Sequence, residues 1–584
     1  MLLRTDKEFA YQKKRIKRYV FFYTELNERE KKMFVKFILT FLLLKLNQCE
    51  KIDLKTGVHL FVDNHYIKNS SGLEFRNGLI AKELDSPIVH PEYPWEMMVH
   101  FYTSFLQVPA DLSVTGKPMY LIYYACGPAD AVLFNSTVSV CVANSSDGNH
   151  WEKPLLPYYP HKSSQLTNIV FVTDVFEYLG SVFIDHRSGI PSSEKFKMSY
   201  ESTPKRFVYV GKSSNGFNWT AGDKPANPTA GLSDTQTTMF YSNENGGQYV
   251  LFARKNQGVP NSTLNCPGSW APYRHVVVTV SSGDIYGPWT NETEAFILGS
   301  PDPVQCFDNY NPAALYYKNI YFLFPSAYFH WTPTDSGAPI PRAAENDGVM
   351  DIRLVVSRNA LSPFQFVTRD TFISRGIGSI DPITKLLNGT GSDRDAGFVF
   401  SSSNGLLDPD HLEPSVTDEN PSAWMYHVYW GSQTTHAGGG AYLGSYWPGA
   451  YSGIFKARLR REGYVALSTI SSNPTGFGTF VTEVFKLPSD ENRQLQLKLN
   501  AEISTAGFLS VQFEYGTTGE PIEGYSFDNC RQLHGNGVRQ LVQYIRGNET
   551  YTADLTPLLK YENGVQIRFQ MAHTKLYSWL LSYV

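Results

Sequence analysis

Five acidic residues stand at or just before strand-like runs: Glu96 in "YPWEMM", Asp185 in "VFIDHRSG", Asp234 in "LSDTQTT", Asp308 in "CFDNYNP" and Asp395 in "DRDAGFV". Two carboxylates flanking a glycosidic bond are the core of most sugar hydrolysis. One protonates the leaving oxygen, and the other attacks as nucleophile or activates water. Any one of these acids is equally well read as a turn cap at the start of a strand. Five at matching places in successive units point instead to one shared cavity, where like charge and burial raise carboxyl pKa values. Such an arrangement opposes stability and marks function. Near the same runs lie candidate substrate contacts. Trp95 and Tyr310 offer flat faces to a sugar ring, while Trp430 reads as core. Arg187, Arg254 and Gln236 offer polar contacts. His436, in the Gly-rich "GSQTTHAGGG", is placed to reach the cavity mouth or to sit on the surface.

The elements that must position these residues announce themselves by repetition. "VANSSDGNHWEKP" (142–154) returns as "VGKSSNGFNWTAG" (210–222), as "VTVSSGDIYGPWT" (278–290) and more loosely as "LVVSRNALSPFQF" (354–366). The Ser/Gly/Asn/Asp cluster is turn chemistry, and strand-like runs flank it. Further strands precede each phrase, such as "YLIYYA" (120–125), "KFKMSYE" (195–201), "QYVLFARK" (248–255) and "IYFLFPSAYF" (320–329). A fifth unit follows with "DAGFVFSSS" (395–403) and "MYHVYWG" (425–431). Four-stranded units of this length, used five times, predict an all-β five-bladed β-propeller over 57–455. One such sheet cannot bury both faces, but a closed ring can. From 456 to 584 the period-two runs "QLQLKLNAEISTAGFLSVQFEY" and "VQIRFQMA" predict a β-sandwich.

The 584 residues are 42% hydrophobic, enough for a large core, with a net charge of −4. That balance gives no basic footprint for nucleic acid. Residues 1–50 form an extension holding the apolar run Phe37–Leu44, behind Met33. The run is too short to span a bilayer, which takes about 20 residues, and reads as a secretory signal. Either translation starts at Met33 or the signal is internal. The expected location is therefore extracellular or a secretory-pathway lumen. Eight N-x-S/T sequons, at Asn69, Asn135, Asn144, Asn218, Asn261, Asn291, Asn388 and Asn548, fit a loop-rich glycoprotein. Of six cysteines, Cys126 with Cys141 and Cys266 with Cys306 are possible pairs, and free buried thiols are the alternative. No C-x-x-C occurs, so no zinc or redox motif and no cofactor is expected, and the carboxylates with their neighbouring aromatics make a carbohydrate the expected partner.

The segments "HLFVDNHYI" (59–67), "SPIVHPEYPWE" (86–96), "SSDGNHWEKP" (145–154), "SDTQ" (233–236), "DGVMDIRLVVSR" (347–358) and "GYSFDNC" (524–530) resemble a group of large secreted, glycoside-hydrolase-like proteins. Their five-bladed propeller is related to glycoside hydrolase families 32, 43 and 68, and the resemblance implies that fold followed by an appended sandwich. It implies hydrolysis of a furanoside or related glycan. The family 32 motifs W-x-N-D-P-N-G, R-D-P and E-C are not intact here. Glu96 lies near the first expected position, Asp185 in "FIDHR" near the second, and Glu413 in "HLEPS" is a distant match for the acid. Two rivals remain open: a non-catalytic, lectin-like propeller, and a sialidase-like enzyme. For the sialidase, "SSDGNHW" is one residue short of S-x-D-x-G-x-x-W, and Arg187, Arg254 and Arg353 would form the arginine trio.

Overall fold

The computed structural model describes residues 51–96, 102–127, 138–173, 176–202, 207–227, 235–256, 274–295, 307–330, 348–380, 387–388, 392–412, 417–433, 452–473, 476–490, 492–546 and 550–584. These residues are nearly all β, as expected, and their only helical elements are short 3-10 turns. None is long and apolar enough to cross a membrane.

Antiparallel strands come in sets of four. The first set is Thr103–Val108, Met119–Cys126, Ser139–Ser145 and Ile169–Phe171. The second is Phe176–Ile184, Phe196–Ser202, Phe207–Ser213 and Trp219–Thr220. The third is Thr238–Ser242, Gln248–Asn256, Arg274–Ser281 and Thr293–Glu294. The fourth runs Asp308–Tyr317, Ile320–His330, Val355–Ser357 and Gln365–Phe366. The fifth takes Phe398–Leu407, Trp424–Ser432 and Ser452–Arg460, and borrows Ile80–Lys82 from far upstream, with Lys82 opposite Ala457. Interior strands such as Met119–Cys126 are buried at every position. That explains their unbroken apolar run, because a sheet covered on both faces does not alternate.

The first strand of each set neighbours the first strand of the next, and the fifth returns to the first. Small polar side chains fill the space between these inner strands. Gln236 Nε2 donates to the carbonyls of Thr103 and Gly180, both at 2.7 Å, and Gln236 Oε1 accepts from Asn311 at 3.2 Å. Thr238 Oγ1 donates to the Pro312 carbonyl at 2.9 Å and lies 2.8 Å from Ser403 Oγ. Thr103 Oγ1 and Ser402 Oγ are 2.5 Å apart. The axis is thus a buried polar plug whose hydrogen bonds tie one sheet to another.

The repeated phrase is a repeated turn. Ser145 Oγ accepts from the Gly148 N–H at 2.8 Å, and Asp147 Oδ1 from the His150 N–H at 2.7 Å. In the second copy Ser213 Oγ accepts from Gly216 at 2.9 Å, and Asn215 Oδ1 from Asn218 at 3.0 Å. Trp151 and Trp219 each donate their indole N–H to the glycine carbonyl of their own turn. Gly148 and Gly216 have φ of 75° and 80°, where a side chain is disfavoured. At Gly216 a Cβ would also meet the Tyr123 hydroxyl at 2.7 Å.

Beyond residue 465 the chain builds a second assembly. Leu495–Tyr515 and Val565–Tyr583 pair along their whole length. The N-terminal strands Gly57–Leu60, Ile67–Ser71 and Leu73–Asn77 join it, pairing with Val565–Tyr583, Phe477–Thr482 and Val465–Thr469 respectively. Its core centres on Trp579, with Phe61, Phe480, Phe485 and Phe569 around it. Cys126 and Cys141 are disulfide-bonded across the first set of strands, and Cys530 is a buried free thiol. Cys49, Cys266 and Cys306 lie outside the described residues.

Candidate functional site

The inner strands share one direction: the fifth is parallel to the first, with Ser403 opposite Ser104. The ring therefore has an end where inner strands begin and an end where they finish. At the beginning end, charged and aromatic groups from all five sets converge. Tyr102 precedes the first inner strand, and its ring lies 5.4 Å from that of Tyr178 in the second. Glu201 sits opposite Tyr178 on the next strand and is fully buried. Arg254 and Arg274 come from neighbouring strands of the third set. The Arg254 guanidinium lies 4.6 Å from the Tyr310 ring and donates to the Tyr310 carbonyl at 3.2 Å. Arg274 lies 5.7 Å from the same ring and 5.6 Å from that of Tyr328. Tyr310 in turn packs on Phe400 of the fifth set, at 5.4 Å.

This cluster is electrostatically expensive. Arg254 is 1% exposed, and burial pulls its pKa below the usual guanidinium value, with Arg274 adding like-charge repulsion. Tyr310, Tyr102 and the Glu201 carboxylate oppose that fall. Burial pushes the Tyr102 hydroxyl well above its ordinary range, helped by Tyr310 and Tyr178 and opposed by Arg254 and a hydrogen bond from Thr235. A buried, paired guanidinium held against tyrosine faces fixes a rigid set of donors.

The residues singled out in the sequence distribute unevenly. Tyr310 and Arg254 meet at the cluster. Asp308 begins the fourth inner strand, directly before it. Asp234 lies outside the described residues, as do His436 and Glu413, but Thr235 next to Asp234 contributes its hydrogen bond to Tyr102. Gln236 is absorbed in the axial plug.

The other acids are held by separate partners. Glu96 is fully buried with both oxygens occupied. Oε2 accepts from the N–H groups of Glu92 and Tyr93 and, at 2.8 Å, from Lys153. Oε1 accepts from Tyr124 at 2.5 Å and Asn168 at 3.1 Å. Trp95 is likewise internal, donating to Asn168 Oδ1 at 2.7 Å and stacking on Tyr93. Asp185 falls after the end of its inner strand, which runs Phe176–Ile184. It therefore sits at the finishing end, accepting from the Tyr249 hydroxyl at 2.6 Å and the Arg187 N–H at 3.1 Å. Arg187 itself lies 5.0 Å from the Tyr249 ring and donates to the Gly283 carbonyl. Asp395 is buried against Lys82 at 2.8 Å and Tyr429 at 3.2 Å, beneath Gly376 and Gly431, where any Cβ would collide with it. Burial raises its pKa, and Lys82 lowers it.

Arg353 donates to the Arg369 carbonyl and packs between Phe307 and Phe329. The proposed arginine trio of Arg187, Arg254 and Arg353 therefore shares no common contact. Sequence reasoning passed over Glu201, Arg274, Tyr102 and Tyr328. Only Glu201 carried a signal, as an acid closing the apolar run "KFKMSYE".

Of the sequons, Asn69, Asn218 and Asn291 are exposed and Asn144 is half-buried on a strand. Asn135, Asn261 and Asn548 lie outside the described residues, and nothing is described of the Asn388 side chain. Among the described residues no group of three or more His, Cys, Asp or Glu is placed to hold a metal ion.

No protein-family model matches the chain, and no curated protein matches it. Solved structures similar to it include a thermostable family-43 glycoside hydrolase, at 12% identity and TM-score 0.35, over 65% of this chain and 96% of that one. Another is a family-43 arabinoxylan arabinofuranohydrolase from Bacillus subtilis, at 13% identity and TM-score 0.32, over 86% and 100% of the two chains. A third is the family-93 α-L-arabinofuranosidase of Fusarium graminearum, at 10% identity and TM-score 0.34, over 67% and 98%. At these values the functional reading falls to the chain's own residues.

Proposed function

We propose that the protein is a glycoside hydrolase built on a five-bladed β-propeller, acting on a furanoside or related glycan where the inner strands begin. In this reading the expected boundary at 455/456 moves: the ring takes its strands from 80–460, and a β-sandwich takes those from 465–584 together with the strands of 57–77. Asp234, just before the third set in sequence, and Asp308, the first residue of the fourth inner strand, are the acid and the nucleophile or base. Arg254, Tyr102 and Tyr310 hold the sugar, and Glu201 is a positioning residue that fixes Arg254. The observation that carries the reading is the convergence of Tyr102, Glu201, Arg254 and Tyr310 from four successive blades, beside the chain positions of both aspartates. A secretory location accompanies it, supported by the Cys126–Cys141 disulfide and the exposed sequons at Asn69, Asn218 and Asn291.

One observation favours a second reading, a lectin-like propeller. Glu96, Asp185 and Asp395 are each engaged in internal contacts, which leaves fewer acids for chemistry. Screening the secreted full chain on aryl furanosides, arabinans and fructans separates the two. The hydrolase reading expects turnover that falls about 10²–10⁴-fold in Asp234→Asn and Asp308→Asn. Glycan binding without turnover moves the protein to the lectin class, and neither binding nor turnover overturns both readings.

A further inference from the structure

The finishing end of the ring holds a cavity of its own. The inner strands close around about 270 Å³, with every one of the five contributing lining residues. The axial plug of Gln236, Asn311 and Thr238 lies between this space and the beginning end. Its floor is buried and apolar, built by Phe105, Phe183, Phe240 and Leu406. Its rim is polar and partly exposed, built by Gln107, Tyr241, His186 and Asn404. The one carboxylate in the lining, Asp408, is clamped by Arg461 at 2.6 and 2.8 Å, a guanidinium that also holds Asp410 at 2.6 Å, so both oxygens of Asp408 are already engaged.

Asn404 is the telling residue. It has φ of 54° in the middle of the strand Phe398–Leu407. The pairing of that strand with its neighbour shifts between Ser401 and Leu406, which is a bulge. Bulges re-aim side chains and concentrate near binding sites, and a left-handed backbone outside glycine is held only where the surroundings demand it. Here the bulge turns the Asn404 carboxamide to the cavity rim, where Nδ2 donates to the Val182 carbonyl at 3.2 Å. The second N–H and the Oδ1 of the amide remain to serve a ligand.

We propose that this cavity is a second, non-catalytic carbohydrate site that takes one uncharged sugar unit. Size sets the upper limit, since 270 Å³ is just below the roughly 300–1,000 Å³ of ordinary ligand pockets. Chemistry selects the class. An aromatic floor receives the apolar face of a sugar ring. Rim groups from Gln107, Asn404 and Tyr241 match hydroxyls, and Asp408, with both oxygens held by Arg461, offers a charged ligand no open contact. The plug makes this site independent of turnover at the other end.

The test is saturation-transfer NMR on the full chain with the methyl glycosides of galactose, mannose, xylose and arabinofuranose. Methyl glucuronide serves as the charged probe and indole as the apolar one. At least one neutral glycoside is expected to bind in the millimolar range. Binding should weaken about tenfold in Asn404→Gly, which keeps the backbone angle and removes the amide. It should also weaken in His186→Trp, which fills the mouth from an exposed position. Asp308→Asn should leave this binding unchanged, so a failed hydrolase reading does not affect the result. Three outcomes overturn the proposal: no neutral glycoside binds, binding ignores both variants, or indole alone occupies the cavity.

Discussion

The two ends of the ring treat buried charge in opposite ways. Where the inner strands finish, Asp185 accepts from Tyr249 and from the Arg187 backbone, and Asp408 is gripped by Arg461. Each is a carboxylate with local donors, a stabilising arrangement. Where the strands begin, Arg254 is buried beside a second guanidinium, and its pKa is driven down as a result. Two cations over one tyrosine ring repel each other, a cost carried at the end proposed above as the site. Glu96 refines the rule. It is as buried as Arg254, yet it has five donors. A full set of donors holds this buried carboxylate as part of the framework.

The largest expected effect breaks the comparison at Arg254. Arg254→Met removes a buried guanidinium from the Tyr310 ring and from the Tyr310 carbonyl, at a cost of about 4 kcal/mol for a desolvated cation–π contact and a charged hydrogen bond together. Arg187→Met at the other end loses one carbonyl contact and a ring face, about 1 kcal/mol. Urea unfolding of the two variants measures the difference directly. Equal losses would mean that the two ends do not differ in kind. Glu96→Gln comes next, at about 2 kcal/mol, because Lys153, 6% exposed, loses its buried charged partner at 2.8 Å and keeps Glu92 at 3.3 Å. Its turnover per folded molecule should stay unchanged, since Glu96 faces its own donors.

A pH experiment probes buried groups that belong to neither end. His427 lies between Ser401 and Tyr464, and complete burial pushes its pKa down to about 3. The unfolded chain binds a proton near pH 6.5, whereas the folded chain does not until far lower. The stability contribution is therefore full above 6.5 and is lost as pH falls from 6.5 toward 3, at about 1.4 kcal/mol per unit. Between pH 6.5 and 5 the wild type should lose about 2 kcal/mol more than His427→Gln. His59, His65 and His411, also lowered by burial, act equally in both proteins and cancel in the difference.

What the sequence made legible follows the range of the interactions. The Ser145 and Ser213 turns were readable because a side chain bonds backbone only two or three residues away. The all-β architecture was readable because dense apolar runs alternate with turn clusters. The site was only half readable. Arg254 and Tyr310 meet at the proposed site, but the inner strand Phe176–Ile184 ends before Asp185 and carries it to the opposite end. No local pattern reveals that Lys82 crosses the chain to reach Asp395, or that Glu201 reaches the cluster from a second strand. Those contacts are set by ring closure, which periodicity does not encode.

The smallest expected effect is the sharpest control. Asp185→Asn keeps the shape of the side chain: its one oxygen accepts from the Arg187 N–H, and its NH2 takes the place of the other oxygen and donates to the Tyr249 hydroxyl, which turns to accept. It exchanges charge-assisted hydrogen bonds for neutral ones, a loss of about 1 kcal/mol or less. Activity should stay within twofold of wild type, a ratio that corresponds to about 0.4 kcal/mol. The same change at Asp308 is expected to abolish most turnover, although both aspartates flank inner strands. If Asp185→Asn instead matched the Asp308 loss, the chemistry would run at the finishing end and the assignment of the two ends would reverse.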